Sequence, residues 1–222
     1  MTEINLENPS GFPYSTSWKS FAAEDQAVIS ALYAEAGAFV RNSEHIAETI
    51  VEIGCGPITK GAQVFRAECI QRFENYVGVD INSEFTDEWR AEIQVDPQRT
   101  RYVCADLQEL GMLDAEFSST PIDLLVGNRV LNYLPDRAVR EIADSERVHG
   151  FFFTVPLPRD QKMGQRVLTF NGISIMQYMR DLDMYRRIFT DSDLEHSLLD
   201  LRNTGVPSHL AFWKRRQNNG GL

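Results

Sequence analysis

The chain has 222 residues, a length that suits one α/β domain with a sizeable core, and its 43% apolar and 24% charged residues are those of a globular protein. No apolar run approaches the ~20 residues that a membrane-spanning helix needs, and Met1 to Asn8 lack the basic region and apolar core of a signal peptide. A formal net charge of −10 argues against nucleic acid as a partner, since phosphate binding needs clustered lysine and arginine, and the one such cluster, Lys214-Arg215-Arg216, reads as a solvated end.

Cys55, Cys69 and Cys104 are an odd, widely spaced set that suggests neither a disulfide framework nor a metal site, so no metal is expected and the compartment expected is the reducing cytoplasm. Residues 1–44 read as an arm followed by a helix. Pro9, Gly11 and Pro13 make the arm irregular, and Phe12, Tyr14, Trp18 and Phe21 pin it to the domain or let it close as a lid. Apolar residues recur at helical spacing from Glu24 to about Val40.

Thr49-Ile50-Val51-Glu52-Ile53 is a strand of the kind buried on both faces. Gly54, Gly56, Pro57 and Gly61 then turn the chain, and a helix begins with Thr59 placed as its N-cap. Such a strand, glycine loop and helix make a cradle for a nucleotide-type ligand, although a plain glycine turn explains many similar stretches. The spacing is neither a dinucleotide fingerprint nor a Walker loop. What narrows the reading is Tyr76 to Asn82, a second apolar strand in which Asp80 stands 24 positions after Gly56, where an acid can accept hydrogen bonds from both hydroxyls of a ribose. Arg101 to Leu107 repeats the pattern and contains Asp106.

The remaining elements follow in order: a helix from Glu84 to Ile93, a fourth strand and loop from Ile122 to Leu134, and a helix from Asp136 to Arg147 with Asp136 as N-cap. Gly150 to Pro156 is the fifth strand. Beyond it, Leu157 to Gly164 is a polar loop, Val167 to Ile173 a short strand with a turn, and Ser174 to about Tyr185 a helix. Another helix starts within Thr190 to Glu195 and ends near Asn203-Thr204-Gly205, before a last strand over Leu210 to Lys214. Strands alternating with helices predict a parallel sheet covered on both faces, with ligand at the carboxyl ends of the strands.

Glu52-x-Gly54-x-Gly56, then a strand ending at Asp80, then a strand followed by Asp106, resembles the class I, Rossmann-like S-adenosylmethionine-dependent methyltransferases, over residues from about Ala47 to Pro156. The resemblance implies an α/β three-layer sandwich with a mostly parallel, doubly wound sheet whose last strand is antiparallel, in a domain spanning residues 45–222. It places Gly54 and Gly56 under the methionine part and the ribose, Asp80 on the ribose hydroxyls and Asp106 near the adenine amino group. Glu52, Cys55, Ile81, Leu107 and Asn128 are the other cofactor-binding positions it implies. Pro57 and Ile58 depart from the small residues usual in that loop. The family has two strands after its last helix, of which one is legible here, so residues 157–189 read as an insertion and a source of substrate specificity.

The activated methyl of such a cofactor leaves the protein mainly an acceptor to position, and an oxygen or nitrogen acceptor also needs its proton removed. His45 and His149 precede strands, away from the ligand edge, and His196 belongs to a late helix; neither these nor His209 qualifies as a base. Asn132 and Tyr133, after the fourth strand, either bind the methionine amino group or an acceptor, or cap the next helix. With Tyr14 they are the catalytic candidates. Trp18, Arg129, Phe170 and Tyr178 are candidates for the substrate pocket, with Tyr185 as a further aromatic wall. Arg159 and Arg166 either bind a substrate carboxylate or stay solvated.

The expected function is methyl transfer to a small molecule, at oxygen or nitrogen, in specialised metabolism. Two alternatives stay open. One is release of methylthioadenosine, through cyclisation of the cofactor to azetidine-2-carboxylate or transfer of its aminocarboxypropyl chain. The other is a catalytically silent cofactor-binding domain. Membrane and nucleic acid are not expected as partners, and the oligomeric state is left open.

Overall fold

Thr49–Ile53 (β1) is buried at every position, the pattern of a central strand covered on both faces. Its neighbours are Asn75–Asp80 (β2) on one side and Leu124–Asn128 (β4) on the other, both parallel to it. Thr100–Cys104 (β3) extends the sheet beyond β2, and Phe151–Pro156 (β5) extends it beyond β4. A computed structural model describes this architecture over residues 26–42, 48–56, 60–82, 89, 98–109, 111–118, 120–157, 163–170, 173–189, 194–199 and 209–214. His209–Lys214 (β9) pairs antiparallel with both β5 and Glu195–Leu199 (β8), which completes a seven-stranded sheet of order β3-β2-β1-β4-β5-β9-β8. The fold is the expected α/β sandwich with its last strand antiparallel.

Two apolar layers sandwich this sheet. Gln26–Arg41 (α1) and Lys60–Arg72 (α2) cover one face, where Leu32, Phe65, Ile50 and Phe152 are buried together. Met112–Glu116 (α3), Asp136–Asp144 (α4) and Leu182–Phe189 (α5) cover the other, over Val51, Leu125, Phe153 and Phe212. Phe153, Phe189 and Phe212 pack with ring centroids 5.5–6.0 Å apart, which ties β5, α5 and β9 into one aromatic cluster. At the amino ends of the strands, Asp123 accepts from the Glu48 and Thr49 amides at 2.8 and 3.0 Å, with His149 Nδ1 at 3.6 Å from its other oxygen. His149 is structural, as its position before β5 implies.

The strands up to β5 match expectation, and the chain beyond it corrects several expectations. Ile173–Met179 (β7) is a strand where a helix was expected from Ser174, and it pairs antiparallel with Gly164–Phe170 (β6) as a separate hairpin. Helix begins only at Leu182. Glu195–Leu199 is strand where a helix was expected to run, so His196 lies in an exposed strand. Among the described residues two strands therefore follow α5, where one was legible in the sequence. His209 is the first residue of β9 and is fully buried. Asp136 is the first residue of α4, not its cap, which is Pro135. Cys55 and Cys69 are buried thiols, and Cys104, the last residue of β3, is exposed. Thr59, His45, Arg159, the arm and Thr190 to Ser192 lie outside the described residues, as does all of the Glu84–Ile93 helix except Trp89.

The hairpin is bolted to the sheet by Arg180, 2% exposed, which directly follows β7. Its guanidinium donates to the Leu131 and Leu134 carbonyls at 2.8 and 2.7 Å and to Asp136 Oδ1 at 2.6 and 2.9 Å. Arg166, read earlier as a substrate ligand or a solvated group, donates to Gln177 Oε1 across the hairpin at 2.6 Å.

Gly127, in the middle of β4's carboxyl end, has no room for a side chain: a Cβ there would lie 2.6 Å from Val130 Cγ1 and 2.9 Å from Phe153 Cδ1. Gly127→Ala should therefore destabilise the protein by about 1–3 kcal/mol, the usual range for overpacking, which thermal or urea unfolding would read. An unchanged melting temperature would show that the Val130 loop yields freely.

Candidate cofactor site

The strand order reverses between β1 and β4, and in such a sheet the crevice for a ligand opens beyond the carboxyl ends at that point. Two loops meet there. The first follows β1 and carries Gly54 and Gly56, both left-handed, with φ of 61° and 56°. The second follows β4 and starts with Arg129, a non-glycine residue at φ 58°. That conformation costs of order 1–3 kcal/mol and is characteristic of functional loops. Arg129 is held in it by its amide, which donates to the Thr154 carbonyl at 2.8 Å, while the Thr154 hydroxyl donates to Asn128 Oδ1 at 2.9 Å. Val130 then packs on Gly54, where a Cβ would come within 2.6 Å of its Cγ2.

Gly56 differs from Gly54. Among the described residues a Cβ there would meet nothing nearer than the Gly54 carbonyl oxygen at 3.9 Å, so the space beside it is open to that extent. Its amide donates to Asp80 Oδ2 at 2.8 Å, which brings the glycine loop and the acid at the end of β2 together. The Asn82 amide donates to the other Asp80 oxygen at 3.1 Å. Burial pushes Asp80 up to about 6, against the pull of the Gly56, Asn82 and Ile81 amides and with a smaller push from Glu52. Asp106 lies two residues past β3, where its Oδ1 accepts from the Gln108 amide at 2.9 Å, and Ile81 and Leu107 flank these turns half-buried.

Glu52 is placed differently from the rest. Its carboxylate, 1% exposed, faces α1 and α2 below the loop. It accepts from Tyr33 at 2.6 Å, from Arg66 Nε at 3.1 Å and from the Tyr76 hydroxyl. Arg66 also donates to the Cys55 carbonyl at 2.8 Å and lies 4.5 Å above the Trp89 ring. Burial alone would lower the Arg66 pKa, but Glu52 and the neighbouring hydroxyls and thiol outweigh it and hold the cation. Burial likewise pushes the Cys55 thiol up, so Cys55 is an inert small residue whose backbone is what matters. Sequence reading had not singled out Arg66, Tyr33, Tyr76 or Arg180. The one available signal was Glu52 itself, since a carboxylate in a buried strand requires a cation from a neighbouring element.

Residues 51–154 match the family model described as a methyltransferase domain. These residues are a class I, S-adenosylmethionine-dependent methyltransferase domain. Its cofactor is S-adenosylmethionine, and the protein is a transferase. No curated relative matches the sequence. Solved structures share the fold at low identity. A Haloferax volcanii protein in complex with the Trm112 methyltransferase activator has TM-score 0.63 at 16% identity, over 94% of this chain and 99% of that one. Magnesium protoporphyrin IX methyltransferase from Synechocystis PCC 6803, with bound S-adenosylhomocysteine, has TM-score 0.61 at 13% identity, over 89% and 92%. The 1,6-didemethyltoxoflavin-N1-methyltransferase of Burkholderia thailandensis has TM-score 0.59 at 13% identity, over 98% and 94%.

The open side of Gly56 and the half-buried Asp80 carboxylate beside it fit this methyltransferase's cofactor. Asp80 has the free acceptor capacity that a ribose needs, and Gly54, Cys55 and Gly56 present backbone beside it. Of the other candidates, Asn132 is 1% exposed on the turn after β4, and among the described residues neither its Oδ1 nor its Nδ2 has a hydrogen-bond partner. Tyr133 is half-buried beside it, and Tyr178, on β7, lies 5.3 Å from the Arg180 guanidinium. Phe170 belongs to β6 by its backbone, while its side chain, Tyr14 and Trp18 lie outside the described residues.

Hydroxyl donors bind a carboxylate better than a carboxylic acid, so S-adenosylhomocysteine affinity should fall as pH drops through about 6, where Asp80 takes up its proton. Calorimetric titrations between pH 5 and 8 would show it, and Asp80→Ala should weaken binding by roughly 1–3 kcal/mol and flatten the profile. The same group acts on stability with the opposite sign. The folded protein holds this proton more tightly than the unfolded chain, so Asp80 favours unfolding increasingly as pH rises from 3.8 to about 6.

Proposed function

We propose that this methyltransferase acts on a small molecule, at an oxygen or nitrogen, in the cytoplasm and as part of specialised metabolism. The observation that carries the reading is the β6–β7 hairpin, fastened by Arg180 to the turn that bears Asn132 and Tyr133. A second layer at the carboxyl end of β4 leaves less opening for a macromolecular acceptor and supplies wall for a small one. The net charge of −10 and the small molecules named for the Synechocystis and Burkholderia proteins support the same reading.

In this site Gly54, Gly56 and Asp80 hold the cofactor, with Cys55, Ile81, Asp106, Leu107 and Asn128 around it. Glu52 acts from beneath the loop. The bound cofactor supplies a methyl made electrophilic by its sulfonium. Asn132 and Tyr133 orient the acceptor, Arg129 offers a cation to an acidic one, and Tyr178 with Phe170, Trp18 and Tyr14 forms its apolar wall.

The second reading, methylthioadenosine release, keeps support from one observation. Asn128, Arg129, Asn132, Tyr133 and Thr154, polar residues described at the ends of β4 and β5, include no carboxylate or imidazole to serve as base, and the His209 imidazole, on the residue paired with Pro156 at the end of β5, is fully buried. An attacking amine that is already neutral needs none. Incubating the protein with S-adenosylmethionine, alone and with a panel of oxygen and nitrogen nucleophiles, separates the two by mass spectrometry. Acceptor-dependent S-adenosylhomocysteine supports methyl transfer. Methylthioadenosine formed without any acceptor overturns it in favour of the second reading.

Asn132 gives a sharper check. An amide buried without partners burdens the free protein, so Asn132→Leu should leave the melting temperature unchanged or raise it, by up to about 1 kcal/mol in stability. Turnover by the same variant should fall at least about tenfold if that amide orients the acceptor. Wild-type turnover would remove Asn132 from the site.

A further inference from the structure

One peptide unit of the glycine loop is gripped from both sides. The Cys55 carbonyl accepts from Arg66 at 2.8 Å on the buried side, and the Gly56 amide of the same unit donates to Asp80 at 2.8 Å on the ligand side. A peptide is planar, and in the trans form its C=O and N–H point in opposite directions, so fixing one fixes the other. The unit would otherwise turn readily. Gly54 and Gly56 flank Cys55, both at positive φ, and glycine populates either sign of φ at little cost.

Arg66 suits this grip because its two donors lie on different nitrogens of a rigid fork. Nε meets Glu52 while a terminal nitrogen meets Cys55, which a lysine ammonium would not reproduce at fixed geometry. Its own freedom is removed in turn. The Trp89 ring stacks against the guanidinium at 4.5 Å, and Tyr33 from α1 and Tyr76 from β2 hold the Glu52 carboxylate in place. None of these five side chains reaches the open side of Gly56.

We propose that Arg66 is a positioning residue for cofactor binding, which acts through the Cys55–Gly56 peptide to keep the Gly56 N–H on Asp80 and so sets that carboxylate for the ribose. This rests on the cofactor reading of the same loop. Among the described residues, Glu52 on β1, Tyr102 and Cys104 on β3 and Cys55 in the loop are the titratable groups that interact electrostatically with Asp80. Loss of the Gly56 donor leaves the carboxylate with less stabilisation, so its proton should come off at higher pH.

The test is S-adenosylhomocysteine titration by calorimetry from pH 5 to 8, on the full chain, with unfolding measured on each variant. Arg66→Lys keeps a cation opposite Glu52 but loses the second arm, and should bind about tenfold more weakly, the loss of one hydrogen bond to a charged group, with the midpoint of its pH profile moved up. Glu52→Gln combined with Arg66→Met removes both charges together, so no ion is left buried alone. It should lose affinity likewise while still unfolding cooperatively. Variants that melt lower but bind with wild-type affinity and midpoint overturn the proposal. If neither variant folds, the wild-type Gly56 amide decides, observed by NMR in glycine-labelled protein. A Gly56 resonance that moves over the pH range in which affinity changes supports the proposal, and one that stays still overturns it. Wild-type protein that does not bind S-adenosylhomocysteine at all sinks the cofactor reading, and this inference with it.

Discussion

A carboxylate with 1% exposure in the central strand is the constraint on which much of this structure depends. Removing an ion from water is expensive, and Glu52 is retained only because Arg66, Tyr33 and Tyr76 surround it with donors. Those donors come from α2, α1 and β2. The need to satisfy one charge therefore fixes how two helices sit on the sheet, directly beneath the glycine loop. The apolar layer of Leu32, Phe65 and Ile50 supplies most of the burial on that face, but it is the polar cluster that gives the face a single arrangement.

Backbone strain is concentrated on the other side of the same switch point. Gly54 and Gly56 take left-handed conformations without a steric penalty, whereas Arg129 takes one despite its Cβ. Thr154 and Asn128 hold it there, and the reward is contact: Val130, the next residue, fills the space over Gly54. Neither loop has this shape alone. Each depends on the other for its packing, which is why the ligand crevice lies where β1 and β4 are neighbours.

The hairpin after β5 shows how an extra element can be added to such a frame. It pairs with no strand of the main sheet, so its place is set by Arg180, whose four hydrogen bonds go to two carbonyls and one carboxylate around the turn at Leu131–Tyr133. A buried guanidinium that satisfies backbone carbonyls is a strong, geometrically selective anchor.

Much of the frame was legible in the order of residues. Apolar, β-branched runs ended by glycine or aspartate identify β1, β2 and β4, because a strand buried on both faces has to be apolar and the chain has to turn at its carboxyl end. Gly54, Gly56 and Asp80 followed from that pattern and do lie together. β8 was not legible, because Glu195 to Leu198 are exposed and only backbone bonds to β9 make that segment a strand. β7 was read as helix for a similar reason, its partner β6 being what selects the strand. By itself the sequence determined the sheet's central strands, the glycine turn and the acids beyond it, since these depend on local backbone freedom and burial. Tertiary structure alone decided that Glu52 faces inward, that Arg66 grips the loop and that Arg180 fastens the hairpin. Those are contacts between elements, and charge satisfaction in a buried site depends on which partners the fold brings within reach.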